Sequence, residues 1–323
     1  MKHLSDDEVK KLLSGEWPSV ISRIESAFLN PTADMVPKVY LNSRNNQQGD
    51  FRAMPAALGP YAALKWIGVF PKNWQVDDPQ KIGTSLPTTL GTFLLNDRHT
   101  GYPLMSMDCT TLTAYRTAAT SAIAAKYCAP DHVGEISFIG CGKQAYYHAL
   151  AYKEIFKNFK MSLNDRNMEV AVNLSSRLKK HGLSESKFNY DVGDAVSDAD
   201  IITTLTPSTK PYLNVLDLKS NCHINAVGAD AVGKRELMTN VIDGAADIIA
   251  DDPTQAFHSG ELQYNEWPHL SVINFPELLK THESMQLDKG ISVFDSTGVA
   301  IEDIAIGILV YDLYHNSTNE PKF

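Results

Sequence analysis

The chemistry this chain could carry begins at residues 134–145, Gly-Glu-Ile-Ser-Phe-Ile-Gly-Cys-Gly-Lys-Gln-Ala. The apolar run Ile136 to Ile139 reads as a buried strand that stops at Gly140. A helical pattern opens at once through Lys143, Gln144 and Ala145. Strand, tight glycine turn and helix form the context in which G-x-G-x-x-A carries meaning. Gly140 can take the backbone angles of the turn, Gly142 lets main chain approach a pyrophosphate, and Ala145 lets helix pack on strand. The helix start, with Gln144 in its first turn, offers N–H groups and a positive dipole end to phosphates. The stretch therefore reads as a dinucleotide site, against the plainer alternative of a packed βα turn.

A bound dinucleotide makes hydride transfer the simplest reaction, with the substrate gripped by groups from outside the nucleotide domain. Three basic residues stand where a charge is costly without a partner. Lys65 lies in Ala-Leu-Lys-Trp-Ile-Gly and could equally be a strand lysine facing solvent. Arg116, at the start of an alanine-rich helix, could fork onto a carboxylate or serve only in an interdomain salt bridge. Arg52, before Ala53-Met54-Pro55, is similarly open. Asp230 follows the run Ile224 to Ala229, outside the carboxyl end of a strand, where ligands bind in open α/β sheets. Its plainer reading is a helix N-cap. No G-x-x-x-x-G-K-[ST], H-E-x-x-H or G-x-S-x-G occurs, and the ten histidines show no ligand spacing, so no metal site is expected.

The elements that must position these residues follow from periodicity. Residues 5–29 suggest two short helices split at Pro18. Strands are expected at 37–41, 51–54, 62–69, 88–96 and 103–107, with a polar hairpin loop at 44–49 and a longer loop at 70–81. This first part reads as mixed and largely antiparallel. A helix over 110–129 leads into βα alternation: strand 135–140, helix 143–159, strand 168–174, helix 175–182 and a strand near 187–192. Strands 201–205, 223–228 and 246–250, a helix over 232–242 and a closing helix over 300–314 complete the pattern. Such alternation means a parallel, doubly wound sheet covered on both faces, an α/β fold beside a mixed α+β part.

The bulk properties set outer limits. With 323 residues, 43% hydrophobic and 21% charged, the chain is an ordinary globular composition with material for about two domains. A net charge of −9 argues against non-specific nucleic-acid binding. No run of about 18 apolar residues suggests a membrane span, and the N-terminus lacks a signal-peptide core. Cys109, Cys128, Cys141 and Cys222 have no C-x-x-C spacing, so a reducing cytoplasm is the default expectation.

Taken in order, several stretches resemble the ornithine cyclodeaminase/mu-crystallin family: Arg52-Ala-Met-Pro, Leu64 to Asn73, Thr113 to Ala122, Gly140 to Ala145, Ile224 to Asp230 and Asp295 to Asp303. The likeness implies a Rossmann domain over 116–296, and a substrate-binding and dimerisation domain from 1–115 with 297–323. It further implies a homodimer using NAD or NADP and exchanging hydride at the α-carbon of an amino acid or its imine. By position Arg116 resembles the carboxylate clamp, Lys65 a second carboxylate contact that aids proton transfer, and Asp230 the acid/base at the substrate nitrogen. Thr88 and Arg52 are counted among the substrate contacts, and Thr117 and Thr204 among the cofactor's.

Within that family a ketimine or pyrroline-2-carboxylate reductase, or an alanine-like dehydrogenase, is the expected activity. The alternatives are an ornithine or lysine cyclodeaminase and a non-catalytic crystallin-like binding protein. Two departures bear on the choice. Arg52 stands where ornithine cyclodeaminases carry a glutamate suited to a distal ammonium, and the loop 74–85 is longer than usual. The second strand, taken as Glu169 to Asn173, carries no terminal acid. Asn173, Ser175 and Arg177 are therefore read as a 2′-phosphate site favouring NADP, unless Arg177 merely belongs to the following helix.

Overall fold

The computed structural model describes residues 1–42, 49–79, 83–264, 270–281 and 290–318. The chain divides into two compact units, Met1–Arg116 with Val299–Phe323, and Thr117–Gly298. Residues 44–48 of the expected hairpin loop and 80–81 of the expected loop at 70–81 lie outside the described residues.

The first unit opens with β1 (Lys2–Leu4), which the sequence reading missed, and α1 (Asp6–Leu13). Ser5 caps α1, accepting from the Glu8 amide while the Glu8 carboxylate returns to the Ser5 amide. The break before α2 (Trp17–Leu29) falls at residues 14–16, not at Pro18. Pro18 sits in the first turn of α2, where its missing N–H has no helical partner to lose. Strands β2 (Asp34–Met35), β3 (Val39–Asn42), β4 (Asp50–Leu58), β5 (Tyr61–Val69), β6 (Thr89–Asp97) and β7 (Pro103–Asp108) follow. They form a mixed sheet in the order β1-β7-β6-β5-β4-β2, with β3 also on β4. Among the described residues of this sheet, only β1 and β7 pair in parallel. Helix α3 (Thr110–Cys128) begins in this unit.

The second unit carries β8 (Glu135–Ile139), α4 (Lys143–Ile155), β9 (Lys160–Asn164), α5 (Met168–Lys179), β10 (Ser186–Phe188), α6 (Val192–Val196) and β11 (Ile201–Thr204). Then come β12 (Cys222–Ala226), α7 (Thr239–Asp243), β13 (Ala245–Ala250), α8 (Pro253–Ser259), β14 (Ile273–Asn274), α9 (Phe275–Thr281) and β15 (Ile291–Asp295). The eight strands lie in the order β10-β9-β8-β11-β12-β15-β13-β14, with parallel pairings throughout. This is a Rossmann-type doubly wound sheet. From β8 the chain builds outward through β9 and β10 on one side and through β11 onward on the other. The ends of β8 and β11 therefore flank the topological switch point.

Two expected elements are displaced. Residues 168–174 are not a strand; they belong to α5, and the second strand is β9. Val170 and Val172 made the segment look extended, yet Ala171, Leu174, Ser175 and Leu178 are its buried positions, a helical spacing. β9 escaped notice because its interior is polar. Ser162 Oγ donates to Ala195 O at 2.7 Å and Asn164 Nδ2 to Asn189 O at 3.0 Å, so both tolerate burial. The expected helix 232–242 reduces to α7; residues 228–236 form an irregular loop that turns at Gly233, φ +87°.

The first unit closes with α10 (Ala300–Thr318), which packs on β4, β5 and α2. Every residue of it from Ala300 to Tyr311 is buried. It can lie this close because Gly307 has no Cβ, which would collide with the ring of Phe93.

Candidate active site

In the second unit the glycine loop has the form a pyrophosphate needs. Gly140 adopts φ +93°, a left-handed conformation costly to other residues, and a Cβ there would stand 3.0 Å from Leu205 O on the neighbouring β11 loop. Gly142 is the N-cap of α4 without a side-chain cap, and a Cβ built on it meets nothing within 4 Å. The open side of this turn thus faces away from protein, beside the first-turn N–H groups of α4. Ala145 is fully buried, and Gln144 sits partly buried in that first turn. Thr204 ends β11 and is buried, and Thr117 is buried on α3. These residues fit a nicotinamide dinucleotide.

The 2′-phosphate site does not survive. Asn173, Ser175 and Arg177 lie within α5, where Ser175 is buried and donates to Ser186 Oγ at 2.9 Å. The Arg177 guanidinium lies over the Tyr146 ring at 4.1 Å, so it belongs to the helix, the plainer of its two readings. The true second strand is followed at once by Asp165. Its carboxylate accepts from Cys141 N inside the glycine loop and from Asn167 N, both at 2.9 Å. An acid therefore stands where a ribose hydroxyl would be held, and the premise of the NADP preference falls away.

Asp230 lies in the loop after β12, at the carboxyl edge of the sheet, and is partly exposed. No helix follows it, so the N-cap reading is excluded. Its Oδ1 meets Lys234 Nζ at 2.5 Å.

In the first unit, Lys65 does not face solvent: its side chain is 1% exposed and Nζ donates to Asp303 Oδ1 at 2.7 Å. The same oxygen lies 3.2 Å from Arg116 Nε, while Arg116 Nη1 donates to Glu302 Oε2 at 2.6 Å. Two cations and two carboxylates are thus buried together. Burial holds the Lys65 ammonium below the usual lysine value; Asp303 opposes that shift and Arg116 adds to it. Register places Met54 opposite Lys65 and Ile67 opposite Arg52, so Arg52 shares the Lys65 face of the sheet, two residues along. Arg52 Nε donates to Asp50 Oδ1 at 2.6 Å. The repulsion expected of a bare guanidinium toward a distal ammonium is therefore tempered by a built-in carboxylate. Thr88 is not brought to this cluster. It is exposed just before β6, five residues from Phe93, the strand partner of Lys65, or about 17 Å at ~3.4 Å per residue.

Glu302, Asp303, Asp165 and Glu236 were missed. The first two carried a signal: paired acids inside the apolar helix run Ala300 to Val310 call for buried cations just as lone lysines call for buried anions.

Comparisons with known proteins agree with this architecture. The chain is 36% identical to alanine dehydrogenase of Archaeoglobus fulgidus, over 99% of its own length and 98% of that protein. The structure of an archaeal alanine dehydrogenase dimer with bound NAD superposes with a TM-score of 0.87 at 34% identity, covering 100% of this chain and 98% of the other. Δ1-pyrroline-2-carboxylate reductase of Thermococcus litoralis, in complex with NADH and L-proline, gives 0.87 at 27% identity, with 98% of each chain covered. The ornithine cyclodeaminase/mu-crystallin family matches residues 4–318, and the chain belongs to that family.

Proposed function

We propose that this protein is an NAD(H)-dependent oxidoreductase that exchanges hydride at the α-carbon of an amino acid or its imine, acting as an alanine-type dehydrogenase or a cyclic ketimine reductase. The observation that carries this reading is the buried Lys65–Asp303–Arg116–Glu302 cluster. Buried cations held rigidly by acids suit recognition of a small carboxylate, and the planar guanidinium of Arg116 fits its geometry. When bound, the nicotinamide supplies or accepts the hydride.

The side chains divide the remaining work. Arg116 and Lys65 bind the α-carboxylate and so fix the orientation of the adjacent α-carbon. Asp230 gives a proton to the imine nitrogen as the α-carbon gains hydride, and takes it back in the oxidative direction. The Gly140–Gly142 turn and the first turn of α4 hold the pyrophosphate, and Asp165 holds the adenosine ribose, which supports NAD over NADP. The relatives named alanine dehydrogenase and pyrroline-2-carboxylate reductase support this substrate class.

A homodimer belongs to the same reading. On the sheet face opposite Lys65, Leu64, Trp66 and Leu90 are exposed, with Phe51 stacked on Trp66 at 5.5 Å between ring centroids. That apolar face suits a second copy, and the dimeric archaeal relative supports it.

The test is a panel of keto acids with ammonium, and of cyclic imines, each with NADH and NADPH and followed by absorbance. Turnover with NADH, reduced about 10²–10⁴-fold in Asp230→Asn with NADH binding retained, is the expected result. Near-normal turnover in that variant excludes the role of Asp230. Proline and ammonia from ornithine without net NADH would identify a cyclodeaminase instead.

A further inference from the structure

The loop that carries Asp230 has little regular structure to hold it. From Gly228 to Glu236 the backbone makes no helix or strand, yet an acid that moves a proton must be held to within a fraction of an ångström. What holds it is a set of side-chain clasps. At the neck, Glu236 accepts from Gly228 N at 2.8 Å with one oxygen and from Thr206 N at 2.7 Å with the other. Its own amide donates to Glu261 at 2.7 Å. Gly228 is required there, since a Cβ would collide with Thr206 O and the Glu236 carboxyl.

Inside the loop the clasp is a single amide, Gln263, in the short 3-10 turn Glu261–Tyr264. Its Oε1 accepts from Gly233 N at 2.8 Å. Its Nε2 faces Ala231 O at 3.4 Å, Lys234 O at 3.1 Å and Gly260 O at 2.8 Å. One side chain thus ties both flanks of the loop to the turn behind it. The Arg235 guanidinium adds a second tie, 4.7 Å over the Tyr264 ring. An amide suits the position because the loop presents one N–H and two carbonyls to it; a carboxylate would set an oxygen against three carbonyls, and an apolar group would leave all of them unmet. Lys234, whose carbonyl Gln263 binds, is also the residue whose ammonium meets Asp230.

We infer that Gln263 is a positioning residue that acts through Asp230: it sets the Asp230 carboxylate by bracing the 228–236 loop. The inference rests on the acid/base role given to Asp230 above. Being partly exposed, Gln263 can be cut back without opening the core.

The experiment is a double-mutant cycle on the full-length protein with Gln263→Ala, Asp230→Asn and the combination, in the keto-acid and imine panel with NADH. A misplaced acid is expected to lower kcat by ~10-fold or more in Gln263→Ala, with NADH affinity and melting temperature near wild type. The combined variant should be no slower than Asp230→Asn alone, because a brace has nothing to act on once the carboxylate is gone. Gln263→Glu should behave like Gln263→Ala if the donor side of the amide is what matters. Hydrogen exchange should quicken in the peptide spanning 228–236 and not in the glycine loop. Additive losses, unchanged kcat in Gln263→Ala, or unchanged exchange would each overturn the inference. Near-normal turnover in Asp230→Asn would instead overturn the reading on which it rests, and exchange would still decide whether the clasp exists.

Discussion

Replacing Asp303 with asparagine tests the buried charge cluster most directly. In the native protein Asp303 Oδ1 serves both Lys65 Nζ, at 2.7 Å, and Arg116 Nε, at 3.2 Å. Asp303→Asn removes the carboxylate charge that serves both buried cations. Removing one partner of a buried ion pair costs about 3–5 kcal/mol. A second route gives a ceiling: Lys65 can escape by losing its proton, and neutralising a lysine of ordinary pKa 10.5 near pH 7 costs about 5 kcal/mol, at ~1.36 kcal/mol per pH unit. The two routes agree, and a loss of about 3–5 kcal/mol is a large part of a typical domain's ~5–15 kcal/mol.

The pH dependence fixes the cause. Burial already lowers the folded-state pKa of Lys65, so between that value and 10.5 the unfolded chain binds more protons and stability rises with pH. In the variant the folded value falls further and the window extends to lower pH. The gap between variant and wild type should therefore be widest below the variant's folded value, narrow between the two folded values, and stay constant above the wild-type one. Urea unfolding followed by tryptophan fluorescence reports mainly on the right unit, since Trp17, Trp66 and Trp74, three of the four tryptophans, lie in it. Equal urea midpoints near neutral pH, or a gap that widens as pH rises, would refute the charge argument.

Three further perturbations follow from single contacts. Gly142→Ala meets no protein atom, so its melting temperature should match wild type while NADH affinity, by fluorescence titration, falls at least ~10-fold. Asp165→Asn should weaken NADH and raise the NADPH-to-NADH affinity ratio by ~10-fold or more, as a 2′-phosphate no longer meets a carboxylate. His223 is buried and held down to about 4, mainly by burial, against 6.5 unfolded. The unfolded chain binds the extra proton between those values, so stability falls as pH drops from 6.5 toward 4, by up to ~3 kcal/mol, and His223→Gln should flatten that slope in urea melts.

The parts of the fold legible in the sequence were those whose burial pattern is local. The strand, glycine turn and helix around Gly140 are fixed by apolar run length and by a turn only glycine makes easily. The antiparallel strands Asp50–Leu58, Tyr61–Val69 and Thr89–Asp97 alternate as half-buried strands should. What failed was non-local. Lys160–Asn164 reads as polar because Ser162 and Asn164 find partners on residues 189–195, some thirty positions on. The valines of Met168–Lys179 then drew the strand assignment forward, and the cofactor residues with it. Residues 232–236 looked helical because the contacts that hold their loop, from Gln263 and Glu261, lie outside any local window.

The same division governs the chemistry. A lysine in an apolar strand announces that something must neutralise it, but its own neighbourhood does not say what. Here the answer lies 238 positions away, on the closing helix. Asp303 reaches Lys65 because α10 lies close on β5 and β4, and that approach depends on Gly307, one helical turn after Asp303, receiving the ring of Phe93. Phe93 is in turn the strand partner of Lys65. Packing and charge placement are thus one arrangement. A Cβ at residue 307 would lift the helix off the sheet and draw Asp303 away from the ammonium, so loss of that ion pair would come from a methyl group and not from a change of charge.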